Sequence, residues 1–410
     1  EFTGTSAQQF GNPATVGGGG TGATGNLVQT AMQNSTMRTT ANGIIESSMT
    51  TYMSTPATAQ ISFNITQKVI LRDNARWFAT VYYIRNTGSS TASTLKFFQG
   101  MDWNFAGSAA TDNSYYTSAN QTVYGYDTNA PAGNIQYGGF SSPEPTVQHD
   151  VNAYATMWAD IRSGTLPNGT TYSGDSGIAL AWAKSSLTPG ETWTIPIIWG
   201  LGFNVNDMYK IIEIGKSQIY DIAVQSIDSP ANNTRFNALM TPTVPIMATL
   251  ADLGLVDAAP LTVYYNITGP SGYTKNVALT TNLTLPFKET AQVTYALPIS
   301  GLASGTYKVA IKAVYPKDQI PTNNTKTVWL NVTNFVFDPD NTSLVSPGST
   351  KAYQVSLVNG GPEYYFDISV SSSSWAIELY NGSTLMAKDL DHNGAWEWIN
   401  PAYNSNGNGY

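Results

Sequence analysis

Two groups of side chains in this sequence have types and spacings that could carry chemistry. The first is a set of asparagines in Asn-x-Ser/Thr triplets: Asn34, Asn64, Asn120, Asn168, Asn232, Asn266, Asn282, Asn323, Asn331, Asn341 and Asn381. Each offers an amide that an exported chain can carry an N-linked glycan on. Asn64, Asn266 and Asn331 fall on the polar phase of alternating segments, where a sugar would point to solvent. The second group is Asp389-x-Asp391-x-Asn393-Gly394-x-x-Glu397. Oxygen ligands at alternate positions, with glycine at the sharp bend, suit a calcium loop. Position twelve is Asn400 rather than a bidentate glutamate, so a plain Asp/Asn-Gly turn competes with that site. Asp338-Pro339-Asp340-Asn341 reads as a structural acidic turn.

Hydrolytic chemistry would draw on Asp102, Glu144, His149, Asp150, Asp160 or Asp175. A glycosidase needs two facing carboxylates, which spacing alone does not supply. His149 and Asp150 are adjacent, so on a strand they point to opposite faces. No nucleophile elbow, metalloprotease helix or phosphate-binding glycine loop is present. The expectation is a non-enzyme that requires no cofactor, with calcium and N-linked glycans as its candidate additions. Trp77, Trp103, Trp158, Trp182, Trp193 and Trp199 could stack on sugars, but they sit mostly in apolar runs and read better as core.

The elements that must position these groups are strands. The chain has 410 residues, no cysteine and only 11% charged residues, with a net charge of −8. Ordinary domains carry about 25% charged residues, so Ser, Thr, Asn, Gly and Tyr must wet this surface. No basic stripe is available to neutralise phosphates, which excludes nucleic acid. No apolar run reaches the ~18–20 residues that a membrane-spanning helix needs. The chain starts at Glu1 without methionine, as a processed exported protein would. Without an N-terminal apolar helix it does not fit a type IV pilin or archaeal flagellin.

Residues 1–26 read as a flexible arm, with Gly17–Gly20 as a tether and Phe2, Phe10, Ala14 and Val16 as contact positions. Residues 27–241 read as a large β-sandwich. Ile61, Phe63 and Ile65 alternate with polar residues, while Trp77–Ile84 is apolar on both phases and suits a central strand. Gly177–Ala183, a Pro189-Gly190 turn and the following TWTIPIIWGLG read as a hairpin-like unit. Met208–Ile227 predicts a helix capped by Asn206. Pro242 and Pro245 mark a boundary, and 242–333 has the length and alternation of an immunoglobulin-like sandwich. Its segments GLASGTYKVAIKAVYP, KDQIPTNN and TKTVWLNVT resemble CARDB-type modules of prokaryotic, chiefly archaeal, surface and filament proteins. Residues 334–410 resemble further sandwich repeats of such proteins without the usual closing strands, which reads either as a fragment or as a domain left open for a strand from another molecule.

The fold class expected is therefore all-β: tandem sandwiches, an extended N-terminal arm and at most one or two short helices. The function expected is a structural subunit of an extracellular filament or surface layer. It would assemble head-to-tail with copies of itself by strand donation, with the 334–410 unit as acceptor. The competing expectation is a monomeric surface adhesin or carbohydrate-binding protein. Other surface proteins or polysaccharide are further candidate partners.

Overall fold

The computed structural model describes residues 2–4, 8–10, 27–39, 45–55, 61–103, 111–127, 129, 134, 136–238, 241–334, 350, 377–381, 383–389 and 397–399. The chain opens with β1 (Phe2–Gly4), β2 (Gln8–Phe10), β3 (Val28–Thr39), β4 (Ile45–Ser54), β5 (Phe63–Arg72), β6 (Trp77–Asn86) and β7 (Ala92–Asp102). It continues as β8 (Asp112–Thr117), β9 (Thr122–Asp127), β10 (Tyr137–Ser141), β11 (Gln148–Ala153), α1 (Tyr154–Ser163), β12 (Thr171–Ser173), β13 (Ser176–Leu187), β14 (Thr192–Gly202) and α2 (Val205–Lys216). These strands make a five-stranded sheet, β11-β13-β7-β1-β2, facing a nine-stranded sheet, β12-β8-β9-β10-β14-β6-β5-β4-β3.

Alternation explains the layering. On β13, Ile178, Leu180 and Trp182 point into the core between the sheets, while Ala179 and Ala181 lie under α1 with Met157 and Ile161. On β6, Tyr82 and Ile84 face that same core, whereas Ala79, Val81 and Tyr83 face the opposite side. A strand covered on both faces must be apolar on both phases. Trp77–Ile84 is such a strand.

The second unit holds β15 (Ile222–Ser229), β16 (Thr234–Asn237), β17 (Thr243–Asp252), β18 (Ala258–Thr268), β19 (Thr274–Leu285), β20 (Thr290–Pro298), β21 (Gly305–Val314) and β22 (Thr325–Thr333). A three-stranded sheet, β15-β17-β20, packs on a five-stranded sheet, β16-β22-β21-β18-β19. The expected hairpin is there: β21 pairs antiparallel with β22 from Gly305↔Val332 to Lys312↔Thr325. The 241/242 division lies between β16 and β17, two strands of this sandwich. Further on come β23 (Ile377–Asn381), β24 (Thr384–Asp389) and β25 (Glu397–Trp398), joined as one sheet.

Two local expectations are corrected. The helix after Gly202 is shorter than predicted and begins earlier. Its cap is Asn204, whose extended backbone lets Oδ1 accept the Asp207 N–H at 2.9 Å, so Asn206 is already inside the first turn. Ile222 and Ala223 belong to β15, where they enter the second core. Second, β13 and β14 are no hairpin. The Gly190 turn, at φ +80°, carries the chain from one sheet to the other, because both strands are apolar on both phases and each becomes central in its own sheet. Sequence reading also missed α1, which lacks a capping side chain at Ala153 and is closed by left-handed Gly164.

The two sandwiches share one continuous set of buried side chains. Ile70, Trp77, Val81 and Ile198 of the nine-stranded sheet meet Met208 and Ile212 of α2, and the set runs on through Ile219 and Ile222. A buried ionic knot closes the junction. Glu46 on β4 holds Arg72 at 3.1 Å and Lys288, from the β19–β20 connection, at 3.2 Å, all nearly sealed from water. Among the described residues no helix is long and apolar enough to cross a membrane.

Candidate functional site

Among the described residues the candidate site is a strand edge, the outer flank of β7. Strand β7 is paired with β13 from Ala92↔Leu187 to Asp102↔Gly177. On its other flank, β1 pairs with it only at Phe2↔Phe97 and Thr3↔Lys96. Strand β1 in turn pairs with β2, Phe2↔Phe10 to Gly4↔Gln8, so the arm adds a short hairpin to the chain's own sheet. Ala14 and Val16 lie outside the described residues.

The edge is shaped by what it buries. Leu95 and Phe97 point into the first core, with Phe97 4.6 Å from the Tyr82 ring and 5.9 Å from Trp182. The Tyr82 hydroxyl accepts from Gln67 Nε2 at 3.0 Å and donates to Gln99 Oε1 at 2.9 Å. Burial holds that phenol well above its ordinary pKa, so it stays a donor.

Beyond β7 the facing sheet overhangs. Directly opposed residues share a face of a sheet, and Met53↔Ile65, Met49↔Val69, Ser47↔Leu71, Met37↔Ser47 and Met32↔Thr51 carry the core face of β5 outward across β4 and β3. Near the core this face is closed by Ile65. Further out it is bare: Met32 is 56% exposed, Leu71 51% and Met37 78%. An apolar shelf beside a strand flank that holds two paired positions among the described residues is a place where another strand can add. Methionine suits it, being flexible enough to pack on an imperfect partner.

The residues singled out from sequence are scattered. Asn34, Asn64, Asn168 and Asn232 are exposed, and Asn120 and Asn266 are half-buried. Asn323 spends its amide on Asp221 at 2.8 Å, and Asn331 spends its amide on the Asn233 carbonyl at 3.2 Å. Asn282 lies in β19 and Asn381 in β23, their side chains outside the described set, as is Asn341 altogether. Of the calcium candidates, Asp389 is buried at the end of β24 and Glu397 lies in β25, opposite Lys388. Asp391 and Asn393 are outside the described residues. Among the described residues no three acidic or histidine side chains converge as a metal ion would need.

The hydrolytic candidates do not form one site. Glu144 binds the Tyr220 hydroxyl and Lys317 at the junction of the sandwiches. Asp102 is raised by burial and then by Asp175. His149 stacks on Tyr116 at 3.4 Å, and burial lowers its pKa. Asp150 is fully buried on β11. Burial first and the Asp160 carboxyl next push it up to about 7, while the Val151 and Gly169 amides beside it make no well-formed hydrogen bond to it. Trp77, Trp103, Trp182 and Trp199 are buried, and Trp158 and Trp193 are half-buried.

No known family profile matches the chain. Among solved structures it is similar to the CARDB domain of a Pyrococcus furiosus protein, at 18% identity and TM-score 0.21 over 28% of this chain and 96% of that one. It is also similar to a polysaccharide lyase, at 11% identity and TM-score 0.27, over 70% of this chain and only 36% of the lyase. A third likeness is to a putative aldose 1-epimerase from Klebsiella pneumoniae, at 8% identity and TM-score 0.29 over 43% of this chain and 56% of that one.

Proposed function

We propose that this chain is a structural subunit that polymerises outside the cell by exchanging its N-terminal hairpin, with β7 of a neighbour as the acceptor edge. One observation supports this above the rest: β7 is fully paired on one flank, takes two arm residues on the other, and faces an uncovered methionine shelf. In this reading the acceptor is the first sandwich; most of the 334–410 unit, the acceptor expected from sequence, lies outside the described residues. Residues 11–27 separate β2 from β3 and can reach roughly 55 Å when extended. Moving the hairpin from its own β7 to a neighbour's keeps every backbone hydrogen bond, so exchange costs little beyond association itself. A donor that always reaches forward produces an open fibre. In this reading the chain performs no catalytic turnover, and glycans occupy the exposed Asn34, Asn64, Asn168 and Asn232.

Thr3 and Lys96 stand directly opposite, at a separation that suits a disulfide, and the chain has no cysteine to interfere. Thr3→Cys with Lys96→Cys, oxidised after assembly, should give a ladder of covalent multimers on a non-reducing gel. Exclusive formation of internally bridged monomer, with normal fibres from a chain lacking residues 1–16, overturns the reading.

A further inference from the structure

The nine-stranded sheet carries a second unusual surface, at the far side from the methionine shelf and on its other face. There Tyr137 on β10 stacks on Tyr126 of β9 at 4.8 Å and 23°. Tyr126 stacks in turn with Tyr115 of β8 at 6.0 Å and 9°, and Tyr115 with Tyr124 of β9 at 5.6 Å and 22°. Register explains the row: Tyr137↔Tyr126 and Tyr115↔Tyr124 are cross-strand pairs on the face away from the first core. Gly139, opposite Tyr124, leaves the space the ring needs, since a Cβ there would stand 2.7 Å from the tyrosine's own Cβ. Tyr209 of α2 closes the inner end edge-on at 5.6 Å. All four rings of the row remain half-exposed.

We infer that this tyrosine row binds an uncharged carbohydrate chain. The chemistry of the surface selects that ligand class. The rings stack with centroids 4.8–6.0 Å apart and remain half-exposed, so sugar C–H groups can meet the face area left uncovered while sugar O–H groups meet the phenol hydroxyls. The rim continues in the same language. Ser173 on β12 donates to Asn113 Oδ1 on β8 at 2.7 Å, two residues from Tyr115. No outward residue of β8, β9, β10 or β12 is charged, because Asp112 and Asp127 point inward and are buried. An anionic or strongly charged partner would find no counter-charge, whereas a neutral polyhydroxyl chain leaves nothing unmatched. Burial first, and then hydroxyl contacts with Tyr209 and Tyr115 respectively, raise the Tyr124 and Tyr126 phenols, so both stay neutral over any physiological range. The row is about five strand spacings, roughly 24 Å, from β4, so sugar binding and assembly need not compete.

The test is an array of neutral oligosaccharides probed with the full chain, followed by saturation-transfer NMR on the best-retained sugar. Retention of at least one neutral glycan is expected, weakened about tenfold or more in Tyr115→Ala/Tyr126→Ala and only a few-fold in Tyr126→Phe, which keeps the ring. Trp329→Ala, which removes an exposed tryptophan on the second sandwich, should bind normally. Absence of any retained neutral glycan, or retention untouched in a folded double variant, overturns the inference. So does a change of oligomeric state in that variant without sugar binding, which would make the row a protein interface.

Discussion

At the residue scale, burial reshapes two carboxyls, one of them among the hydrolytic candidates and one not. Asp150 is pushed up to about 7 and Asp252, buried at the end of β17, to about 8, both chiefly by burial. Their folded pKa values lie above the unfolded range near 4. The folded state therefore holds protons that the unfolded state releases, and stability falls as pH rises through that interval. The contribution is fully present below pH 4 and gone above about 8. Chemical denaturation between pH 4 and 8 should show midpoints declining with pH, and Asp150→Asn should flatten part of that decline. A midpoint that rises over the same range would mean these carboxyls are ionised and paired. None of this was legible in sequence, where a buried and an exposed aspartate look identical. The burial of Trp182 and Trp199 was legible, because their neighbours are apolar on both sides.

At the element scale, β5, β18, β21 and β22 were readable because their alternation is local, and β6 because its run is apolar on both phases. Helix α2 was only half readable. Gly215 counts against a helix by propensity, yet it lies where a Cβ would come within 2.6 Å of Ile198 Cγ2 and 3.1 Å of the Trp77 ring. The glycine is there to let the helix seat on β14 and β6. Gly215→Ala should therefore lose about 1–3 kcal/mol by overpacking, outweighing the ~1 kcal/mol that alanine gains in helix propensity. Thermal unfolding would decide it: a raised melting temperature would refute the packing explanation. The β13–β14 turn was misread for a related reason. A Pro-Gly signal fixes a reversal of the chain, not which sheet receives the next strand.

At the scale of the whole molecule, the two sandwiches are joined by a shared core and by Glu46 between Arg72 and Lys288. Such a knot is a weak source of stability intact but is costly to break. Glu46→Gln leaves two buried cations facing a neutral group and should cost about 3–5 kcal/mol in urea unfolding. A loss below 1 kcal/mol would show that water reaches the junction and that the sandwiches are not locked together.

Composition and alternation alone determined that this is a β-rich, charge-poor chain of packed sandwiches with an N-terminal arm, since burial at period two is written into neighbouring residues. Tertiary structure decided where the open edge lies, which tyrosines stack, and which aspartates are sealed from water. Those properties belong to residues far apart in the chain that meet only once strand order is set. Strand order is chosen by which apolar faces cover one another, a comparison the chain makes only in three dimensions.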